Sequence, residues 1–228
     1  MEKLNKDEIF SIALHLDLPD LLNFSCVNKR INKSIRDELW LYKLESEFVD
    51  FRNLNLDKTF KEIYILLYYL KQKFPTRENI YDIYESRNID LSDQKLKNVS
   101  KELCKLTNLT TLHLDCNWLT VIPKEISNLF NLRRLNLSNN MLNVLPKELG
   151  DLSNLVYLNL SHNHLKEIPK ELGNLINLTI LDLSCNRLTF LPEELGELSR
   201  LVSLFLDFIV SANIGKNNEK INIYKFRS

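Results

Sequence analysis

A 23-residue period in the second half of the chain constrains its fold more than any other feature. Asn117, Asn140, Asn163 and Asn186 stand at that interval, as do Pro123, Pro146, Pro169 and Pro192, and likewise Gly150, Gly173 and Gly196. One unit reads Leu132-x-x-Leu135-x-Leu137-x-x-Asn140-x-Leu142-x-x-Leu145-Pro146-x-x-Leu149-x-x-Leu152. Four consecutive units keep nearly all of these positions, which is the mark of stacked, near-identical coils.

Each position has a physical reason. In Leu135-x-Leu137, alternation puts both leucines on one face of a short strand and the intervening residue on the other. The remaining leucines, with Ile122 or Ile168, turn inward as the chain curls back. No coil can bury that face alone, so coils stack and share one core. The Asn falls where the strand ends and the chain turns in. Its amide offers a donor and an acceptor to backbone groups that would otherwise be buried unpaired. Replacing one is expected to cost about 1–3 kcal/mol. Asn117, Asn140, Asn163 and Asn186 are thus a structural ladder. The Pro fixes φ on the opposite side, where a missing N–H does no harm.

Over residues 86 to about 206 this pattern is similar to the 23-residue leucine-rich repeats of the Ras-suppressor-like type. The resemblance implies an α/β leucine-rich-repeat solenoid of five to six units over 86–210, with short parallel strands on a concave face. The ends of the array depart from the pattern. Gln94 replaces the first Asn, Ser100 stands where Pro is expected, and Ile209 occupies the last Asn position. Residues 211–228 read equally as a frayed tail or as a terminal strand that covers the open end.

Composition narrows the function. The 228 residues include 30 basic and 30 acidic side chains. Residues 1–85 carry 13 basic against 15 acidic groups, so neither half hides a charge imbalance. This argues against a nucleic-acid or anionic-membrane binder that works by bulk electrostatics. Only 4 glycines are present, and three of them stand on the lattice, which leaves no glycine-rich phosphate loop. The start, Met1-Glu2-Lys3-Leu4-Asn5-Lys6-Asp7, lacks the apolar core of a secretory signal. The longest apolar run, Ile63 to Leu70, falls well short of the roughly 20 residues that span a bilayer. Four dispersed cysteines fit a reducing, intracellular setting (cytoplasm or nucleus).

The N-terminal third has a different period. Ile9, Ile12, Ala13 and Leu16, then Leu21, Leu22 and Val27, then Ile31, Ile35 and Leu39 follow helical spacing, broken at Asp17-Leu18-Pro19-Asp20. In order and without gaps, Leu4-Asn5-Lys6-Asp7-Glu8-Ile9, Ile12, Leu16-Asp17, Asp20-Leu21-Leu22, Cys26-Val27-Asn28-Lys29-Arg30 and Leu39-Trp40 are similar to the F-box. Asn5 replaces the usual proline and Ile31 a common tryptophan. The resemblance implies an all-α F-box-like domain over 1–46 that docks on a Skp-type adaptor of a cullin-RING ubiquitin ligase. It places Leu4, Ile9, Ile12, Leu21, Leu22, Val27 and Trp40 at the adaptor surface. Residues 47–85 form the connector and N-terminal cap. There Phe60, Ile63, Tyr64, Leu67, Leu70 and Phe74 read as one helix stopped near Pro75.

No constellation for catalysis, cofactor or metal stands out. Cys-x-x-Cys, His-Glu-x-x-His and Gly-x-Ser-x-Gly are all lacking, and His162 with His164 makes a poor metal site. Cys116 and Cys185 share one lattice position three coils apart. That is roughly 14 Å at ~4.8 Å per strand, too far for a disulfide. Cys26 reads as core.

Recognition is the remaining chemistry. The columns expected to point away from the core are Arg134, Tyr157 and Ile180; His113, Asn136, Asn159, Asp182 and Phe205; Asp115, Ser138, Ser161 and Ser184; and Trp118, Met141, His164 and Arg187. Trp, Tyr, Met and Arg dominate interface energetics. His113, Trp118, Arg134, Met141, Tyr157, His162, His164 and Arg187 are therefore the candidate substrate-binding residues, with Trp118 the leading anchor. The two resemblances together imply a substrate receptor: the adaptor and cullin at one end, a protein substrate at the other, no nucleic acid and no membrane. The alternative is a scaffold whose repeats hold a small GTPase or phosphatase, with no ligase role. The heavy use of Asn, Ile and Lys suits an AT-rich genome, and the pairing of domains also looks like proteins of large DNA viruses that infect amoebae.

Overall fold

The strands are the shortest elements that alternation can build, and they repeat in register. A computed structural model describes residues 86–207 and 222–226, with Ile65, Tyr68 and Tyr69 further upstream. Its strands are β1 (Asn88–Asp90), β2 (Thr111–His113), β3 (Arg134–Asn136), β4 (Tyr157–Asn159), β5 (Ile180–Asp182), β6 (Ser203–Asp207) and β7 (Asn222–Phe226). They form one parallel sheet in chain order. Asn88, Thr111, Arg134, Tyr157, Ile180 and Ser203 lie side by side, each 23 residues after the last. The sequence lattice is therefore also the hydrogen-bonding register.

The central residues Leu112, Leu135, Leu158, Leu181 and Leu204 are fully buried, as are the ladder-side Leu114, Leu137, Leu160 and Leu183. Each such side chain contributes roughly 1.5–3 kcal/mol relative to exposure. Opposite the sheet the chain makes no α-helix among the described repeat residues. It makes 3-10 turns instead, from Leu103–Lys105 through Lys124–Asn128, Lys147–Asp151 and Lys170–Asn174 to Glu193–Glu197. A fixed-φ Pro enters each of the last four, and the backbone N–H three residues on bonds its carbonyl, as from Ile126 to Pro123 at 3.1 Å. The first turn has Ser100 in place of Pro, and its hydroxyl accepts from Leu103 N–H at 3.2 Å. Gly150 is required by the stacking: a Cβ there would lie 2.2 Å from the Glu171 carbonyl oxygen of the next coil.

Between strand and ladder the first five coils each turn through a left-handed residue, and the first coil has a second one at Lys95 (φ 53°). Asp93, Cys116, Asn139, His162 and Cys185 have φ between 53 and 56°. This conformation costs ordinary residues about 1–2 kcal/mol, less for Asn and Asp. In return it aims two successive N–H groups at the next coil: Asn139 N–H reaches Ser161 O at 3.0 Å, and Asn140 N–H reaches His162 O at 3.1 Å.

The last coil ends this pattern with a carboxylate. Asp207, at 2% exposure, accepts from Cys185 N–H through Oδ1 (2.8 Å) and from Asn186 N–H through Oδ2 (3.0 Å). It thus does in one side chain what a following coil's carbonyls do elsewhere. Replacing it with Ala should cost about 1–3 kcal/mol for each orphaned N–H. Faster hydrogen exchange confined to Cys185 and Asn186 would identify the cause. Of the two readings of the C-terminus, residues 222–226 follow the terminal strand: β7 pairs parallel with β6, its first residue only 19 positions after Ser203.

The chain divides into two units, Met1–Ile83 and Tyr84–Ser228. In the first, Ile65, Tyr68 and Tyr69 are helical and half-buried, within the stretch expected to be a helix. The candidate adaptor residues Leu4, Ile9, Ile12, Leu21, Leu22, Val27 and Trp40, with Cys26, lie outside the described residues.

Candidate functional site

The ladder asparagines are buried or nearly so, and each amide serves two coils. Asn140 donates to Leu114 O (2.9 Å), Leu137 O (3.1 Å) and Ser138 O (3.2 Å), and its Oδ1 accepts from Leu119 N–H at 3.0 Å. Asn117, Asn163 and Asn186 repeat the arrangement on their own coils. At the N-terminal end Asn117 Oδ1 takes two donors, Gln94 N–H and Leu96 N–H.

The outward face of the sheet carries three of the eight candidate recognition residues. Arg134 lies over the Tyr157 ring, its Cζ 4.7 Å from the centroid, in cation–π contact. His113 Nδ1 is 3.7 Å from Asp115 Oδ1, which also accepts from Asn136 Nδ2 at 2.8 Å. Toward the C-terminal end the face becomes apolar. Ile180 is half-buried, and Phe205 stacks on Tyr224 with centroids 4.8 Å apart. Tyr224 had no lattice position to reveal it, because β7 falls off the 23-residue period.

The other five candidates lie elsewhere. Trp118, Met141, His164 and Arg187 each come six residues after the middle residue of a strand, beyond the left-handed turn, and so form a column on the rim and not on the strand face. Their N–H groups fix them to the preceding coil, as from Trp118 to Leu96 O at 2.9 Å. Trp118 and Met141 are 44% and 45% exposed. His162 occupies the left-handed turn itself and is exposed.

The serine column is a correction. Ser138, Ser161 and Ser184 were expected to point outward but are buried. Alternation ends with the strand, and a side chain two residues earlier then holds each serine. Asn159 Oδ1 accepts from Ser161 N–H and Oγ, and Asp182 Oδ1 from Ser184 N–H and Oγ. Ser92 bonds Asp90 in the same way and holds that carboxyl below the usual range. The sheet face therefore presents two residues per strand.

A second asparagine column obeys the same period. Asn131, Asn154 and Asn177 donate from Nδ2 to Thr107 O, Phe130 O and Ser153 O at 2.8–2.9 Å. It precedes the strands, where the ladder follows them.

No group of three or more His, Cys, Asp or Glu is placed to hold a metal among the described residues, and no described helix is long and apolar enough to cross a membrane. The thiols of Cys104, Cys116 and Cys185 are free, and each is pushed up from its ordinary pKa, with desolvation the leading cause. Activated nucleophiles are shifted the other way. Burial pushes Cys104 up to about 12 from 9.0. Folded and unfolded chains both hold its proton below pH 9.0, while above it only the folded chain does, so its contribution to stability falls as pH rises from about 9 toward 12. At about pH 8, alkylation followed by peptide mapping should modify exposed Cys116 and leave Cys104 untouched.

These features define a leucine-rich-repeat domain. The leucine rich repeat family matches residues 87–142 and 107–165, and the leucine-rich repeat region family residues 139–218. The F-box domain family matches residues 1–42. The chain thus carries an F-box domain at its N-terminus followed by leucine-rich repeats, two kinds of protein-interaction domain. Among solved structures, it is similar to an LRR protein of Leptospira interrogans, with 38% identity and a TM-score of 0.54 over 59% of this chain and 36% of that one. It is also similar to the LRR ectodomain of the plant membrane receptor kinase GASSHO1/SCHENGEN3 from Arabidopsis thaliana, with 36% identity and a TM-score of 0.56 over 63% of this chain and 18% of that one. The chain therefore spans well under half the length of either. No curated protein matches it.

Proposed function

We propose that the chain is the substrate receptor of a cullin-RING ubiquitin ligase. The F-box, within a domain over 1–46, docks on a Skp-type adaptor through Leu4, Ile9, Ile12, Leu21, Leu22, Val27 and Trp40. Residues 47–85 connect it to repeats of the Ras-suppressor-like class over 86–210, followed by a C-terminal tail or terminal strand over 211–228. The repeats hold a protein substrate, and catalysis belongs to other subunits, so the chain needs no cofactor. The reading makes the protein intracellular. On a viral origin, the adaptor and cullin are the host's.

The observation that carries this reading is the F-box match at residues 1–42 in one chain with leucine-rich repeats at 87–218. The sheet face supports the substrate half: a cation–π pair at Arg134 and Tyr157 beside an apolar surface at Ile180, Phe205 and Tyr224 offers anchors of the kinds that dominate interfaces. Trp118 and Met141 extend it along the rim. A pull-down of the full chain from eukaryotic lysate tests the proposal. Adaptor and cullin should both be recovered. Recovery of a GTPase or phosphatase without either would leave the scaffold reading in its place.

A further inference from the structure

We propose a second binding site, for an acidic peptide segment, in a groove at the N-terminal edge of β1–β3. The groove encloses about 720 Å³ and is lined by Arg87, Asn108, Thr110, Asn131, Arg133 and Asn154. It is separate from the sheet face and does not depend on the ligase reading.

Charge comes first. Arg87 and Arg133 are exposed, and among the described residues no carboxylate pairs with either. Among the described residues, none that lines the groove is acidic. Two guanidiniums without a described carboxylate partner, lining one groove on a chain of zero net charge, form a local feature suited to a ligand with a few well-placed anionic groups. Their backbone is fixed. Arg87 O accepts from Thr110 N–H at 2.7 Å and Arg133 O from Val156 N–H at 2.8 Å, so the side chains project from a rigid edge.

Spacing comes next. Arg87 and Arg133 are two strands apart, about 10 Å at the usual interstrand distance. A peptide in the polyproline II conformation advances about 9 Å in three residues and returns every third side chain to the same face, so carboxylates at positions i and i+3 meet both cations.

The amide column selects a peptide over other anions. Asn131 and Asn154 spend Nδ2 on carbonyls of the coil before, which turns Oδ1 outward as an acceptor. The next asparagine shows what that oxygen takes: Asn177 Oδ1 accepts from Arg200 Nη1 at 2.8 Å. In the groove, no described donor bonds the oxygens of Asn131 and Asn154. A peptide supplies N–H donors for them and carboxylates for the arginines. Inorganic phosphate and a nucleic-acid backbone supply the negative charge alone.

The test is a titration of the isotopically labelled full chain, followed by NMR through the Nε–H signals of Arg87 and Arg133 and the side-chain amides of Asn131 and Asn154. The probe is a synthetic Gly/Ser peptide with two aspartates three residues apart. It should shift all four residues, while the same peptide with Asn for Asp should bind at least tenfold more weakly. Arg87→Glu with Arg133→Glu should abolish the shifts of the Asn131 and Asn154 amides with the melting temperature unchanged. Arg133→Gln alone, the milder variant, should weaken binding at least threefold. Equal binding of the Asn peptide, or unchanged binding by Arg133→Gln, would overturn the proposal. So would inorganic phosphate or a short oligothymidylate that reproduces the full set of shifts at the same concentration and ionic strength.

Discussion

Chemical denaturation of Asn140→Ala should show a loss of about 1–3 kcal/mol, the cost of one buried group left without a partner. That group is Leu119 N–H, which has the Asn140 oxygen at 3.0 Å. Leu114 O, which has the Asn140 amide at 2.9 Å, keeps the Asn117 amide at 3.0 Å. The site is only 6% exposed, so water does not readily replace the amide. Asn140→Asp should be no better. It keeps an acceptor for Leu119 N–H but sets a carboxylate against the Leu114, Leu137 and Ser138 carbonyls that the amide had served. Asn143 is the control. It is exposed, bonds only Met141 O at 3.3 Å, and should change stability by less than about 0.5 kcal/mol when replaced by Ala. In a solenoid each coil contacts only its neighbours, so the damage should concentrate in the coils around Asn140. Equal losses at Asn140 and Asn143 would remove the ladder from the account of what holds the coils together.

What the sequence made legible is what recurs. The strand leucines, the Asn ladder and the Pro positions each fill one physical role several times at one spacing, so pattern and structure coincide. The features it hid are single or local. Asp207 ends the ladder's neighbouring turns once, with nothing to compare it with. β7 starts 19 residues after β6 and carries no lattice leucines, so the tail was ambiguous. Ser138, Ser161 and Ser184 followed the strand's alternation on paper, but each lies just past the strand, where a neighbouring Asn or Asp decides its direction. Trp118 and Met141 read as part of the strand face, but they lie past the left-handed turn, on the rim. The second asparagine column is the instructive case. Asn131, Asn154 and Asn177 were as periodic as the ladder, but in a chain with Asn at about one residue in eight a polar residue beside a loop looks ordinary. Its role shows only when the carbonyl 24 residues back is found at the other end of the bond.

The largest functional effect should come from Leu21→Asp combined with Leu22→Asp. Both lie in the F-box match, and an F-box is a docking domain for Skp-type adaptors. Burial of a leucine at an interface is worth roughly 1.5–3 kcal/mol, and an unpaired carboxylate in its place adds a desolvation penalty. Two such changes should weaken adaptor binding at least 100-fold, since each 1.4 kcal/mol is about tenfold. Leu21→Ala with Leu22→Ala, which keeps the positions apolar, should weaken it by less. Arg87→Glu with Arg133→Glu alters the groove alone and should leave adaptor affinity unchanged.

The most direct measurement is therefore the affinity of the purified full chain for a purified Skp-type adaptor, wild type beside Leu21→Asp/Leu22→Asp. The account predicts a stable complex for the wild type and a loss of at least 100-fold for the variant, with the melting transition of the repeats preserved. A wild-type chain that fails to bind the adaptor, or a variant that binds it equally well, would contradict the assignment of the chain as a ligase substrate receptor.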